Sequence, residues 1–231
     1  MVVGHEGVIG TSGLKWETHC HSVYSNRRRR WFDALNTPRE MIEAAIRRGL
    51  DGMIITDHDS VEGGLAGRKV ARGYKGFYVI PGAEVSSKAG HILAIGVQEN
   101  VPKGLSLEET IDRIHGLGGI AIASHPFSSR VSPSLGEGCL KTDGVEVFNA
   151  MNRGSENWKA SSLAEGHRRP KTAGSDAHWA SAIGNAGIVC NDPLEDIVKG
   201  RTGLFGDYTS MLDVQVFHFR QLVSALADKP I

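Results

Sequence analysis

Short apolar segments rich in β-branched residues recur along the chain and predict β-strands. They are bounded by glycine, proline and polar residues, as strands in compact domains usually are. The predicted strands cover residues 14–21, 52–56, 77–80, 91–97, 120–124, 144–148, 171–173 and 186–190.

Amphipathic segments between these strands predict helices. One helix begins at Thr37, a good capping residue, with Pro38 in the first turn, where its missing N–H costs nothing. Its apolar stripe is followed by Gly49, a typical helix end. Further helices are predicted at residues 106–117, 155–167 and 214–226, and one that Asp192-Pro193 opens near Glu195.

The alternation of strands and helices predicts an α/β fold. It favours a mostly parallel sheet with right-handed crossovers, and about seven β units favour a barrel over an open sheet. A chain of 231 residues without repeats or linkers fits one domain. We expect residues 1–13 to form an arm or extra strand, and residues 204–231 to form a C-terminal helical segment.

Composition narrows the classes of protein. There are 26 basic and 26 acidic residues, so the chain as a whole has no net attraction for nucleic acid or membrane. The three scattered cysteines, Cys20, Cys139 and Cys190, argue against a disulfide framework or a thiolate zinc site. No apolar run approaches the ~20 residues of a membrane helix, and the first residues do not look like a signal peptide. We therefore expect a cytoplasmic protein with reduced cysteines.

Polar side chains with metal-binding chemistry cluster at the ends of the predicted strands. In a parallel barrel these ends meet on one face, where binding sites are built. A single histidine at a strand end is more often structural, but six of them with several carboxylates favour a divalent-metal site. The residues are His19, His21, Asp57, His58, Glu84, His91, His125, Asp176 and His178.

Two of these motifs share one local geometry. Along a strand, His19 and His21 point to the same face while Cys20 points to the other. Asp176 and His178 repeat this spacing near the far end of the chain. A closed barrel would bring the two pairs together around one ion.

Five motifs together resemble a known family. HCHS, TDHDS, GAEVS with GHILAIG, SHPF and GSDAH occur in this order between about Leu14 and Cys190. Their order and spacing resemble the PHP (polymerase and histidinol phosphatase) family. The resemblance implies a distorted (β/α)7 TIM-like barrel, a trinuclear metal site and phosphoesterase activity, with a hydroxide between two metals as the nucleophile.

The resemblance also implies a set of ligands. It assigns the first metal to His19, His21, Glu84 and Asp176, the second to Glu84, His91 and His125, and the third to His58 and His178. Zinc, manganese and iron all suit such imidazole and carboxylate ligands, so the identity of the metal stays open.

One position departs from the family pattern. Asn26 stands where a pattern like HSxxSD usually has an aspartate, and an amide is a poorer ligand for a hard cation. We therefore expect two firm metals and a weak or empty third position. His178 or His58 would then be available as a general acid near neutral pH. Glu17 also stands where the family commonly has aspartate, with no role assigned.

Arginines provide candidates for substrate binding. Arg28, within the run of residues 27–30, and Arg130 are placed to bind phosphate, although a solvated loop is the simpler explanation for most of the run. With Trp31 the run could contact a nucleotide or a nucleic-acid end. The expected substrate is a nucleotide, an oligonucleotide end or a small phosphorylated metabolite.

Two other functions stay open. One is a non-catalytic metal-binding scaffold module, for which PHP domains fused to replicative DNA polymerases offer a parallel. The other is a metallohydrolase acting on a different bond, because metal-activated water on a barrel also cleaves C–N bonds. The sequence leaves the oligomeric state undetermined.

Overall fold

The computed structural model describes residues 13–28 and 33–226, without the side chains of residues 27, 28 and 224–226. The strands are β1 (Leu14–Cys20), β2 (Gly52–Ile55), β3 (Tyr78–Ser86), β4 (His91–Ile95), β5 (Ile120–Ala123), β6 (Gly144–Asn149), β7 (Lys171–Gly174), β8 (Ala186–Cys190) and β9 (Gly203–Gly206). The helices are α1 (Pro38–Arg47), α2 (Glu62–Ala71), α3 (Leu107–Gly116), α4 (Gly154–Gly166), α5 (Pro193–Val198) and α6 (Met211–Leu226). The predicted arm lies almost entirely outside the described residues.

The described strands form one mixed sheet in the order β7-β6-β5-β4-β3-β2-β1-β8-β9. Strands β1 to β3 run parallel, as do β5 to β7. Strand β4 is antiparallel to β3 and β5, and β8 is antiparallel to β1 and β9. The α/β barrel class and the single domain are confirmed. Seven of the nine described strands run in one direction, in agreement with a mostly parallel sheet, whereas β4 and β8 run against them.

The short β3–β4 hairpin is the reason that β4 runs against its neighbours. Strand β3 extends through Glu84 to Ser86, so only residues 87–90 separate it from β4. A parallel neighbour would need a crossover of about a dozen residues or more, so this short loop forces an antiparallel pair. His91, the first residue of β4, therefore pairs with Ser86 at the end of β3.

The sheet nearly closes between β1 and the segment that follows β7. Thr18 Oγ1 donates a hydrogen bond of 2.6 Å to the carbonyl oxygen of Ala173. Beyond the strands, the backbone N–H of His21 donates to the carbonyl oxygen of Ala177 at 2.8 Å. The barrel thus closes between β1 and β7, where the HxH and DxH motifs lie.

The barrel interior is apolar at one end and polar at the other. His91, Leu93 and Ile95 share one face of β4 because side chains alternate along a strand. Leu93 and Ile95 belong to a buried cluster with Ile54 and Ile122 from neighbouring strands. His91 lies at the opposite, polar end.

The helices pack on the outer face of the sheet. Thr37 caps α1 as predicted, and capping boxes are present at Thr37 with Glu40 and at Ser106 with Glu109. Helix α2 was not predicted because its glycines hide the periodicity. A Cβ on Gly64 would lie 2.7 Å from Pro81 Cα, so glycine allows α2 to approach β3 closely.

The C-terminal part differs from the predicted helical segment in one respect. Residues 204–206 belong to β9, and α6 begins only at Met211. The glycines that bound β9 leave a strand too short for a clear period-two pattern. Among the described residues, no helix combines the length and the apolar character needed to cross a bilayer.

A buried carboxylate joins β1 to the chain that follows β7. Glu17 Oε1 accepts hydrogen bonds of 3.0 Å from the backbone N–H groups of Thr18, His19 and Ser175. Its Oε2 accepts from the Ser175 hydroxyl and, at 2.8 Å, from the N–H of Gly184. Burial raises the pKa of Glu17, while these hydrogen bonds favour its charged form. Glu17 therefore holds β1 to the loop that carries Asp176.

We predict that Glu17→Gln lowers the free energy of unfolding by about 1–3 kcal/mol, because the new NH₂ group leaves a buried N–H without an acceptor. Denaturant titration of both proteins measures this difference. The exposed Glu99→Gln is the control and should change stability by less than about 0.5 kcal/mol. Equal stability of the two variants would contradict the role given to Glu17.

Candidate metal centre

Eight of the nine predicted metal ligands meet at the polar end of the barrel. A pocket of about 340 Å³ opens there to solvent. His19 and His21 lie buried beneath it. The remaining six line the pocket itself: His58, Glu84, His91, His125, Asp176 and His178.

The strands explain why these groups converge. His19, His58, His125 and Asp176 lie at or just beyond the carboxyl ends of β1, β2, β5 and β7. His91 reaches the same end from an amino terminus, because β4 runs in the opposite direction. His125 and Asp176 have φ values of 27° and 52°, a costly backbone conformation that is common at functional sites.

The first group of donors has the spacing of a tetrahedral metal site. The Nε2 atoms of His19 and His21 are 3.2 Å apart, and they lie 3.5 Å and 3.3 Å from Asp176 Oδ1. They are 3.6 Å and 3.5 Å from Glu84 Oε2. A tetrahedral ion with bonds of about 2.1 Å holds its ligand atoms about 3.4 Å apart. The donor set therefore fits a divalent ion.

The two oxygens of Glu84 face different histidines. Oε1 lies 2.9 Å from both His91 Nδ1 and His125 Nε2. Oε2 faces His19 and His21, and it lies 3.1 Å from His58 Nδ1. A carboxylate in this position can bridge two cations, as the sequence predicted for Glu84.

A third group contains an aspartate that the sequence analysis missed. Asp33 Oδ2 lies 3.5 Å from His58 Nε2 and 3.6 Å from His178 Nε2. The Nδ1 of His178 is 2.9 Å from the carbonyl oxygen of Asp176. Since a carbonyl can only accept, Nδ1 carries a proton, which leaves Nε2, on the side of Asp33, as the ring atom that can bind a metal.

Asn26, the residue expected to stand in the third position, has another place in the structure. Its Oδ1 accepts from the backbone N–H groups of Asp33 and Ala34 at 2.6 Å and 2.9 Å, and its Nδ2 donates to the Ala34 carbonyl. Asn26 thus holds the backbone at Asp33 and Ala34 in place. We expected a weak third position because Asn26 would have offered it an amide. In the structure, the group beside His58 and His178 is instead the carboxylate of Asp33.

The charges of the pocket depend on one another. Burial alone raises the pKa of Glu84, but His91, His58 and His19 bring it well below its usual value. Burial lowers the pKa of His19, yet Glu146, Asp176 and Glu84 raise it well above normal. Because metal must displace protons from these imidazoles, binding should release protons and weaken at acid pH.

Glu146, on β6, orients one ligand from behind and was not predicted. Its Oε1 lies 2.9 Å from His19 Nδ1, and its Oε2 accepts from the N–H of His125 and from Asn149 Nδ2. The carboxylate therefore fixes the His19 tautomer with Nε2 toward the metal position. In the sequence, Glu146 could have been recognised as a buried functional carboxylate because it is the one acidic residue in the apolar segment GVEVF.

Asp57 has a supporting role that the sequence did not specify. Its carboxylate accepts from the N–H and hydroxyl of Ser22 at 2.6 Å and 2.8 Å, and from the hydroxyl of Ser25 at 2.9 Å. Burial raises its pKa to about 7. Asp57 holds the loop that follows the HxH motif.

Of the two candidate substrate-binding arginines, the structure describes the side chain of Arg130 alone. Arg130 lines the pocket together with Ser128 and Asn152. The side chain of Arg28 lies outside the described residues, as do Arg29, Arg30 and Trp31. Arg130 is therefore the described cation on the pocket wall.

Family comparisons agree with the motifs. A model described as "PHP domain" matches residues 17–131, and one described as "PHP-associated" matches residues 154–200. An uncharacterized protein of Methanocaldococcus jannaschii is 38% identical over 146 residues, covering 61% of this chain and 84% of that protein.

Two named relatives are more distant. A phosphoribosyl 1,2-cyclic phosphate 1,2-diphosphodiesterase of Eggerthella lenta is 31% identical over 106 residues, which are 43% of this chain and 37% of that enzyme. An error-prone DNA polymerase of Nocardia farcinica is 26% identical over 205 residues, which are 81% of this chain but 16% of the polymerase.

Solved structures share the fold. A two-domain protein of Bacteroides vulgatus containing a predicted PHP-like metal-dependent phosphoesterase superposes with a TM-score of 0.67 at 19% identity, over 93% of this chain and 71% of that one. An amidohydrolase of Chromobacterium violaceum gives 0.61 at 18% identity, over 81% and 96%. At such identities the likeness concerns the fold alone.

We predict that Glu146→Gln weakens metal affinity by about 10- to 100-fold. The NH₂ group of the glutamine would face either His19 Nδ1–H or the two donors on the other side, the His125 N–H and Asn149 Nδ2. In the first case the hydrogen bond that orients His19 is lost. Competition with a chromogenic zinc chelator measures the affinity, and the exposed Glu137→Gln is the control. An affinity equal to that of the control would show that Glu146 does not orient His19.

Proposed function

The chain belongs to the PHP domain family, and on that premise we propose that it is a metal-dependent phosphoesterase. The observation that carries the proposal is Glu84, a buried carboxylate whose two oxygens face separate groups of histidines. Clustered cations held in this way suit the cleavage of phosphate esters, in which negative charge shifts between oxygens.

The ligands divide into three proposed sets. His19, His21, Glu84 and Asp176 hold one ion, and Glu84 shares a second with His91 and His125. Asp33, His58 and His178 hold the third, and the distances within this set support it. When bound, the ions neutralise phosphoryl oxygens and lower the pKa of a coordinated water, which makes it a nucleophile near neutral pH.

With Asp33 beside them, His58 and His178 act as ligands rather than as general acids. The tautomer of His178 supports this role, because its proton is on Nδ1, bonded to the carbonyl oxygen of Asp176. Its Nε2 is then the ring atom that can bind a metal in the pocket. The ions that suit this set are zinc, manganese or iron.

The pocket favours a small substrate. Its volume of about 340 Å³ is at the lower end of the range for small-molecule sites. Arg130 on its wall binds a phosphate oxygen through a charge-assisted hydrogen bond. A phosphorylated metabolite or a nucleotide, as monoester or diester, fits these features, and the relative named as a diphosphodiesterase supports the diester. The end of a nucleic-acid strand would enter by the same route.

The first test is turnover. Protein loaded separately with manganese, zinc or iron(II) should hydrolyse a phosphomonoester or phosphodiester, and chelation should abolish the activity. Glu84→Gln should lower the rate by at least about a hundredfold, because it removes the charge shared by the proposed sets. Metal-loaded protein without phosphoester turnover would favour the scaffold, and cleavage of amides alone would favour an amidohydrolase.

The number of ions tests the role of Asp33. We predict about three ions per chain for the native protein and about two for Asp33→Asn. Asn26→Asp should not add an ion, because that side chain is bonded to the loop backbone. Elemental analysis after dialysis measures the ratio. Two ions in the native protein rising to three in Asn26→Asp would instead make residue 26 the ligand.

Arg130→Ala should raise KM for a phosphorylated substrate about tenfold with little change in kcat, because a charge-assisted bond to bound phosphate is lost. Steady-state kinetics measure both constants. The control is Arg113→Ala, an exposed arginine on α3 away from the pocket. Equal KM values for the two variants would remove Arg130 from the substrate site.

A further inference from the structure

Helix α6 has apolar residues on two faces. Its inner face packs on the protein through Phe217, whose ring stacks on Trp179 with centroids 4.4 Å apart. Val214 and Gln221, on the same side, are partly covered. The outer face is exposed to solvent although most of its residues are large and apolar: Met211, Leu212, Val216, Phe219, Leu222 and Val223.

The spacing of the exposed residues is that of a helix-pairing seam. Leu212, Val216, Phe219 and Val223 follow one another at intervals of four, three and four residues. This is the a/d pattern with which two helices pack side by side, with their side chains interdigitated. A seam of this kind is rarely left open to water, since monomeric proteins seldom expose a contiguous apolar patch of this extent.

We infer that α6 pairs with α6 of a second copy of this chain in an antiparallel arrangement about a two-fold axis. Leu212 then packs against Val223 of the second copy, and Val216 packs against Phe219 of the second copy. Each contact occurs twice, as in any isologous interface. The four residues form a continuous apolar layer between the two protomers.

The charges beside the seam are complementary only in this orientation. Asp213 and Arg220 both lie on the edge of the seam between α6 and the body of the protein. They follow Leu212 and Phe219, respectively, by one residue, so both occupy equivalent positions of the seven-residue pattern. In an antiparallel pair these equivalent positions face each other. Asp213 thus meets Arg220 of the second copy, and the reverse contact forms on the other side.

The same charges favour a second copy over a lipid surface. Helices that lie on membranes have a polar face rich in lysine and arginine. The described residues of α6 include one arginine, one aspartate and no lysine, and the whole chain has a net charge of zero. A self-complementary pair of opposite charges suits a homodimer, whereas it gives anionic lipid nothing to attract.

Dimer formation would also affect the metal centre through α6. Phe217, on the inner face, lies 6.1 Å from the ring of His178 and stacks on Trp179. A partner that holds α6 in place therefore also supports the loop that carries His178. Through this contact, dimer formation would influence the position of His178 in the site.

The first test is the mass of the full-length protein in solution. Sedimentation velocity at micromolar concentration should give a dimer for the native chain and a monomer for Val216→Glu, with Kd raised at least about a hundredfold. The matched control is Val198→Glu on α5, because Val198 and Val216 are 46% and 43% exposed. Circular dichroism confirms that both variants fold. A monomeric native protein, or a dimer that survives Val216→Glu, overturns the proposal.

The second test concerns orientation. Asp213→Arg and Arg220→Asp should each weaken the dimer about tenfold or more, because each places like charges opposite one another twice. The double variant should recover most of the native Kd, since both pairs are restored with reversed sign. If the double variant is weaker than each single variant, the helices do not pair in the antiparallel register.

Discussion

A carboxylate buried among imidazoles is the constraint on which the rest of the site depends. Glu84 is almost fully buried, and five histidine nitrogens lie within 3.6 Å of its oxygens. Burying so many polar groups is costly unless their charges and hydrogen bonds are satisfied. These polar groups are buried at one end of the barrel, and branched apolar side chains fill the other end. The apolar end of the barrel therefore stabilises the fold, and the polar end carries the groups of the candidate site.

Residues behind the site hold its ligands in place. Glu146 orients His19, Glu17 joins the strand of His19 to the loop of Asp176, and Asp57 holds the turn after His21. Each is a buried carboxylate bonded to elements far away in sequence. Together they preorganise the pocket before any ion or substrate binds, because the donors already have the spacing that an ion requires.

The convergence of the candidate ligands could be predicted because they occur in local motifs. Alternation along β1 was enough to place His19 and His21 on one face, and convergence of strand ends placed His125 and Asp176 nearby. Asp33 could not be found by counting forward from the HxH motif, because it lies seven residues beyond Asn26, the position that the family pattern indicates. Glu146 was missed, and Glu17 was left without a role, for a different reason: the partners of a buried carboxylate come from other parts of the chain, and only folding brings them together.

The sheet shows a similar limit. Strand positions were predicted well from apolar runs, whereas strand direction depends on the length of the connections. The four residues of the β3–β4 loop decide that β4 is antiparallel, and this reversal brings His91 to the site from the start of its strand. Strand β9 and helix α2 were missed because glycine removes the side chains on which periodicity rests.

The central claim is that side chains between His19 and His178 form one polynuclear centre bridged by Glu84. Anomalous X-ray diffraction from metal-soaked crystals, recorded above and below the absorption edge of the metal, tests it most directly. We expect three peaks in the pocket, two of them about 3.5–4 Å apart on either side of the Glu84 carboxylate. The absence of peaks near Glu84 in crystals that bind metal elsewhere would contradict it.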